Sequence, residues 1–512
     1  MREPSLPDWL AHRAATTPAR LALVTGGREW TYRALDADVA RTARRLAGLG
    51  MRAGERVATL LHNGVGPALL VYATRRLGAT LVPLNTRLTY AELAWQLSDA
   101  APRLLVSDAR TASLASDASR DLPALAIATL GVDGTLDAYP DAPVTPRLAA
   151  AADDVLAILY TSGTTGRPKG AMLTVGNFWW SALGSAMNLG QRADDRWLAC
   201  LPLFHVGGLS ILLRSAISGG AALVHDGFDP HAVNRAIDED GVTIVSVVAT
   251  MLQRMLDARG DVPYPSTLRC VLLGGGPAPR VLLERCAALG VPVVQTYGLT
   301  ETTSQLATLA PEDALSHLGS AGRALYPNEL RIAGASAPGD EGEILVRGPV
   351  VMAGYHGHLA DTARAIVDGW LHTGDVGRVD AEGYVYVLDR RDDLIVTGGE
   401  NVYPAEVEAT LLAHPLVAEA AVIGVTDETW GSRVVAVVRL GNAMPPADLS
   451  DQLIAHCRAN LAAYKSPREI LVSSAPLPRT ASGKLRRAEV RASLAGAAVS
   501  AISAPGTTPR AS

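Results

Sequence analysis

The chain has 512 residues, 48% apolar and 19% charged, with a formal net charge of −5. That length exceeds one ordinary core, so two or more domains are expected, and the composition excludes a disordered chain. The acidic balance argues against a general nucleic-acid or membrane surface, so an anionic ligand has to be held by a local site.

The first eight residues carry no apolar stretch of the signal-peptide kind, and no apolar run reaches transmembrane length. Thr31 is placed to cap a helix whose inner face is Leu35, Val39, Ala43 and Leu46, and Gly48 and Gly50 stop it. Residues 56–61 read as a strand. Thr89 and Glu92 have capping-box spacing and open another helix, and 103–106 is again strand-like. Residues 110–150, rich in Ala, Asp and Pro, read as a variable surface connection. Residues 155–159 form a buried strand that ends in a Gly/Ser/Thr-rich loop. Strands over 197–201, 221–224, 243–248, 268–273 and 293–295 then alternate with helices over 208–217, 230–238, 250–258 and 279–289. This alternation predicts the α/β class: a mainly parallel sheet covered on both faces, with ligands beyond the carboxyl ends of its strands.

From about residue 320 short strands and turns take over, over 342–348 and 383–388. A compact α+β segment follows, with Pro404 suited to a helix's first turn and strands near 417–425 and 433–440. The charged run Asp389-Arg390-Arg391-Asp392-Asp393 is the expected boundary. The expected layout is a domain over 1–390, a smaller one over 391–492 and a disordered Ala/Ser/Pro/Thr-rich tail over 493–512. Cys200, Cys270, Cys286 and Cys457 lack CxxC spacing and read as reduced core residues of a cytoplasmic protein.

Six stretches carry chemistry. In Tyr160-Thr161-Ser162-Gly163-Thr164-Thr165-Gly166-Arg167-Pro168-Lys169-Gly170, glycines expose backbone N–H groups and hydroxyls add donors, so the loop reads as a polyphosphate cradle. It is not a Walker A loop, because Pro168 precedes the lysine and Gly170 follows it. Gly274-Gly275-Gly276-Pro277 brings backbone against a flat ring or makes an ordinary turn. In Gln295-Thr296-Tyr297-Gly298-Leu299-Thr300-Glu301, Tyr297 can stack on a base and Glu301 offers a hard oxygen to Mg²⁺. Asp375 in Thr373-Gly374-Asp375 suits a ribose diol. The fifth stretch runs from the charged boundary into Gly398-Gly399-Glu400-Asn401, and the last is Ser482-Gly483-Lys484-Leu485. Of 46 basic residues only Lys169, Lys465 and Lys484 are lysine. Each is a candidate for a site where a compact ammonium is needed and a planar guanidinium is not suitable.

In this order and spacing the six stretches resemble the AMP-forming adenylating superfamily of acyl-CoA synthetases, luciferases and peptide-synthetase adenylation domains, over about residues 8–490. The resemblance implies a large N-terminal α/β domain with mostly parallel sheets and a small mobile α+β C-terminal domain. It implies that ATP and a carboxylic acid form an acyl-adenylate, which coenzyme A then captures. Thr161, Ser162, Gly163, Thr164, Gly166 and Lys169 would grip the β- and γ-phosphates, and Thr165 and Glu301 would serve Mg²⁺. Gly275, Gly276, Pro277 and Tyr297 would hold adenine, within a nucleotide site that includes Gln295, Thr296, Gly298 and Thr300. Asp375 and Arg390 would hold the ribose. Lys484 would bridge carboxylate and α-phosphate. Asp392 would be the hinge that exchanges Lys484 for Gly398, Gly399, Glu400 and Asn401 at the pantetheine tunnel. Lys465 is a family position without an assigned role, and Val175 stands where many members carry histidine.

The acid pocket is expected between 197–215 and 295–306, with His205 facing it and Arg214, Thr303, Ser304 and Gln305 as substrate candidates. Residues 176–182, 201–210, 272–279 and 318–322 resemble the o-succinylbenzoate–CoA ligases of menaquinone biosynthesis, whose substrate is an aromatic keto-dicarboxylate. A CoA ligase for another aromatic or medium-chain acid is the alternative. An amino-acid-adenylating protein and a non-catalytic nucleotide binder are the remaining ones. The expected partners are small molecules, with no nucleic acid and no membrane insertion. Homo-oligomerisation stays open.

Overall fold

The computed structural model describes residues 5–161, 168–276, 278, 280–313, 316–317, 319–390, 394–440, 446, 448–478, 485, 487–495 and 500–501. They fall into two compact units. The first holds Met1–Thr86, Leu93–Thr161 and Lys169–Asp389, and the second Arg87–Glu92, Pro168 and the chain from Arg390 onward.

Three larger sheets build the first unit, beside a small pair of Ser5–Pro7 with Ala149–Ala151. One runs in the order Lys169–Thr174, Val155–Thr161, Thr80–Pro83, Arg56–Leu60, Leu104–Ser107, Ala126–Thr129. It is parallel except for the first pair, which is an antiparallel hairpin. The second has Val293–Tyr297, Cys270–Leu273, Ile244–Val247, Arg196–Ala199, Ala221–Val224 and Leu21–Thr25 in parallel, with antiparallel strands at both edges. Strands such as Cys270–Leu273 are buried along their whole length, which is why they read as unbroken apolar runs. The third sheet, around Glu341–Arg347 and Trp370–Val379, is antiparallel.

The helix Tyr32–Gly48 forms as its sequence dictates. Thr31 caps it by accepting from the Ala34 N–H, and Leu35, Val39, Ala43 and Leu46 are all buried. Helix Tyr90–Ala100 opens with the expected reciprocal cap, in which the Thr89 N–H donates to Glu92 and the Glu92 N–H to Thr89 Oγ1.

Two readings need correction. Residues 110–150 are not only surface connection, because they include helix Ala112–Ala118 and strand Ala126–Thr129. That strand is a short edge element made mostly of alanine, and edge strands give little hydrophobic signal. The Gly/Ser/Thr-rich loop leaves a strand end, as expected, and joins two antiparallel strands, with Thr161 paired to Lys169. The tail contributes helix residues through Ala495, and Ser500–Ala501 pairs with Leu471 and Val472, whose edge offers open backbone groups.

The second unit is α+β. Strands Val417–Asp427 and Gly431–Leu440 form a long hairpin, and Glu469–Val472 lies parallel to the latter. Helices Pro404–Leu412 and Leu449–Asn460 supply Val407, Leu411, Leu449, Leu453 and Cys457 to its core. All four cysteines are buried thiols. Among the described residues no helix is long and apolar enough to cross a membrane.

Candidate active site

The phosphate hairpin brings its flanking residues to an acidic neighbour. Thr161 Oγ1 donates to Glu301 Oε1 at 3.3 Å, and the Tyr355 hydroxyl donates to the same oxygen at 2.9 Å. Glu301 lies in the short helical turn Thr300–Thr302, and its carbonyl accepts from the Met352 N–H. Lys169 Nζ lies 2.9 Å from Asp361 Oδ1 and 5.4 Å from the Tyr355 ring centre. Ser162, Gly163, Thr164, Thr165, Gly166 and Arg167 lie outside the described residues. Glu301 and Thr161 are hard oxygen donors of the kind Mg²⁺ prefers. Among the described residues no group of three or more His, Cys, Asp or Glu forms a metal cage. An ion there would draw its other ligands from the nucleotide and water.

The strand Val293–Tyr297 delivers the next group. Tyr297 is 6% exposed, and its hydroxyl donates to Asp375 Oδ2 at 2.6 Å. Asp375 comes from strand Trp370–Val379, so the third sheet meets the second at this pair. The Thr296 hydroxyl is committed to Ala307 O and Thr308 Oγ1. Gln295 is buried, and its Nε2 has no hydrogen-bond partner among the described residues. Gly274, packed against Thr296, and Gly275, at φ +80°, bring backbone to this strand's end. Gly276 is exposed, and Pro277 lies outside the described residues. The Arg390 side chain is also outside them, as are Asp392 and Lys484.

Gly298 cannot be replaced without moving backbone, since a Cβ there would lie 1.5 Å from Ser304 O. That carbonyl is aimed by strain: Thr303 and Ser304 have φ of +52° and +83°. Two adjacent non-glycine residues with positive φ are costly, and such outliers collect at functional sites. The Thr303 hydroxyl donates to Val350 O, so this side chain holds the chain rather than standing open. Ser304 is half-buried. Gln305 is 2% exposed, and neither its Oε1 nor its Nε2 has a hydrogen-bond partner among the described residues.

Arg214 is the electrostatic anomaly of the first unit. It sits on helix Val206–Ser218, 2% exposed, with Nη2 donating to Ser181 Oγ at 3.0 Å and the guanidinium 5.7 Å from the Trp197 ring centre. Its Nε has no hydrogen-bond partner, and no carboxylate pairs with it among the described residues. Burial alone pulls its pKa well below the usual arginine value, to about 9. Ser181 in turn donates to Thr303 O, so one chain of bonds joins the arginine to the strained segment. His205 caps the start of the same helix without a side-chain cap bond and meets Phe204 edge-on at 4.6 Å.

Sequence reasoning missed Asn63. Its amide donates to Leu201 O and His225 O, and its Oδ1 accepts from the Leu203 N–H. One side chain thus fixes the turn that leads to His205. The signal was a lone Asn-Gly after an apolar strand, which also marks ordinary turns. Val175 is a core residue, and Asn177 two positions on completes a capping box with Thr174 and donates to Pro349 O and Val351 O.

In the second unit, Gly398 and Gly399 have φ of +57° and +84° and turn the hairpin Ile395–Thr397 to Glu400–Val402, with Asn401 exposed. Glu400 is buried and bonds Arg87 at 2.7 Å. Lys465 now has a role. Its Nζ lies 2.7 Å from Glu92 Oε1 and 2.8 Å from Glu406 Oε1, with all three side chains almost fully buried. Burial raises the Glu406 pKa against the pull of Lys465. A guanidinium would not fit one donor atom between two carboxylates.

Hydroxyls, a lysine and a hard carboxylate at a hairpin tip suit a polyphosphate with Mg²⁺. A tyrosine–aspartate pair suits a nucleoside, and a buried cation whose described neighbours are Ser181 and Trp197 suits a second, apolar-framed anion. Residues 10–356 match the AMP-binding enzyme family, and residues 406–484 match the AMP-binding enzyme C-terminal domain. The chain is 48% identical over 490 residues to the 2-succinylbenzoate–CoA ligase of Geobacillus kaustophilus, covering 95% of this chain and 98% of the relative. It is similar to the o-succinylbenzoate CoA synthetase of Bacillus subtilis solved with the product analogue OSB-NCoA. There the TM-score is 0.89 and the identity 41%, covering 96% and 98% of the two chains. It is also similar to the amide bond synthetase McbA of Marinactinospora thermotolerans, at TM-score 0.84 and 28% identity, covering 94% and 99%. This chain belongs to the AMP-binding enzyme family.

Proposed function

We propose that the protein joins 2-succinylbenzoate to coenzyme A, with ATP cleaved to AMP and pyrophosphate. In the first step a carboxylate oxygen attacks the α-phosphorus, the bond to the bridging oxygen breaks, and pyrophosphate leaves with the electron pair. In the second the thiol sulfur attacks the acyl carbon and AMP departs. Such phosphoryl transfer is catalysed by positioning and charge neutralisation. Similar chains have been solved with ATP and magnesium and with the acyl-adenylate, which supports the same substrates here.

Lys169 and the hairpin loop take the β- and γ-phosphates. Mg²⁺, when bound, neutralises phosphate charge, and Glu301, with Thr165, would hold it. Tyr297 and Asp375, with Arg390, take the nucleoside, and Lys484 serves adenylation. Gly398 to Asn401 serve thioester formation, with Asp392 as hinge. ATP and coenzyme A are soluble pools, and the enzyme is read as cytoplasmic, with small molecules as its partners.

The observation that carries the choice of acid is Arg214. A buried guanidinium without a carboxylate partner is costly unless an anion meets it. A substrate with a second carboxylate supplies that anion, whereas benzoate or octanoate does not. AMP release across a panel of acids, with and without coenzyme A, tests this. 2-Succinylbenzoate should turn over best and in a coenzyme-A-dependent manner. Good turnover of benzoate or octanoate beside an inert 2-succinylbenzoate would replace it with a ligase for another acid.

A further inference from the structure

Lys169 is the phosphate loop's only lysine, and its nearest partner is the Asp361 carboxylate at 2.9 Å. Neither side chain is free in solvent: their exposures are 12% and 16%. Asp361 is held in turn. Arg364 donates to the same Oδ1, and His358 Nδ1 lies 3.7 Å from Oδ2. His358 Nε2 lies 3.1 Å from Asp99 Oδ1, while Asp99 Oδ2 accepts from the Tyr160 hydroxyl at 2.6 Å. Tyr160 is paired with Gly170 across the hairpin. The string from Lys169 through Asp361, His358 and Asp99 therefore closes back on the strands that carry the phosphate loop. The Lys169 and Arg364 hydrogen bonds hold the Asp361 carboxyl below the usual carboxylate range, so it stays charged at neutral pH.

A charged carboxylate in contact with the ammonium competes with any phosphate that the ammonium serves. The contact takes up part of the ammonium's charge, so Lys169 holds a phosphate less tightly while Asp361 aims it. We infer that Asp361 is a positioning residue that shares Lys169 with the β- and γ-phosphates and draws the lysine back as pyrophosphate departs. This rests on the reading of Lys169 as a phosphate ligand. Its chemistry is exchange of one anionic partner for another, with no bond made or broken.

The test is Asp361→Asn, with Asp361→Ser as a second neutral variant should the first fold poorly. The readouts are the ATP KM, kcat and the inhibition constant of inorganic pyrophosphate, measured in the wild-type and Lys169→Ala backgrounds. Removing the competing charge should tighten pyrophosphate inhibition by about fivefold, the size expected of a partly screened ion pair, and lower the ATP KM. In the Lys169→Ala background the substitution should change neither. Unchanged or weakened pyrophosphate inhibition in the neutral variants overturns the inference, and so does an effect that persists without Lys169. If Lys169→Ala alone leaves the ATP KM untouched, the phosphate role of Lys169 fails instead, and the two failures are told apart.

Discussion

The Tyr297 hydroxyl donates to the Asp375 carboxylate at 2.6 Å, joining residues 78 positions apart in the chain. The two were expected to serve different parts of one nucleotide, the base and the ribose. The hydrogen bond makes them one unit, in which the tyrosine orients the carboxylate proposed to accept from the sugar. Tyr297→Phe should therefore raise the ATP KM by about tenfold, the worth of one hydrogen bond to a charged acceptor, while kcat stays within about twofold. Steady-state kinetics at saturating acid and coenzyme A checks this.

Arg214→Met separates stability from function. It replaces a buried, uncompensated charge with a side chain of similar length, so the melting temperature should stay level or rise. The KM for 2-succinylbenzoate should rise by at least about tenfold, because the distal carboxylate loses its cation. A fall in melting temperature together with an unchanged KM would show that the arginine serves the core alone.

Lys465→Met should destabilise the second unit by about 3–5 kcal/mol, since it leaves Glu92 and Glu406 buried against each other. The sign with pH follows from Glu406. Burial raises its pKa above 4.5, and Lys465 lowers it. Without the lysine the folded-state value climbs further. The variant's stability should then be best below about pH 4.5 and fall as the pH rises through that folded-state value. Denaturant melts of wild type and variant over this window give the measurement. Lys465→Arg should not restore stability, because the two carboxylates converge on one nitrogen.

Asn63→Ala should loosen the turn before His205 and leave the Leu203 N–H without its partner. The KM for the acid should rise several-fold, consistent with a cost of ~1–3 kcal/mol for a buried unsatisfied group. The ATP KM should not move, which distinguishes a slackened acid pocket from general unfolding.

Much of this was legible in the chain. Buried parallel strands announce themselves as short apolar runs, and caps such as Thr31 and the Thr89–Glu92 pair are written in adjacent residues. The six stretches stand out in the chain because their chemistry depends on local spacing. What was hidden is what depends on distant residues. Tyr355 and Asp361 stand nearly two hundred positions from Lys169, which both contact, in a segment that reads as a plain turn. The alanine-rich strand Ala126–Thr129 has too little hydrophobic contrast to be read as one. Lys465 was singled out by scarcity, yet its two carboxylates could be found only by folding.

The strand Lys169–Thr174 is gripped on both sides. Val155–Thr161 pairs along one edge. On the other, Met172 exchanges backbone hydrogen bonds with Ala353 and Gly354, and Gly170 O accepts from His356. Side chains alternate along a strand, so a slip of one residue would turn Lys169 inward. It would meet Ile158 and Tyr160, where even a Cβ at Gly170 would be crowded. The portable unit for anyone transplanting the proposed phosphate grip is therefore more than the loop of residues 162–168. It includes a three-ply strip of backbone, in which the strand behind the loop must keep its count.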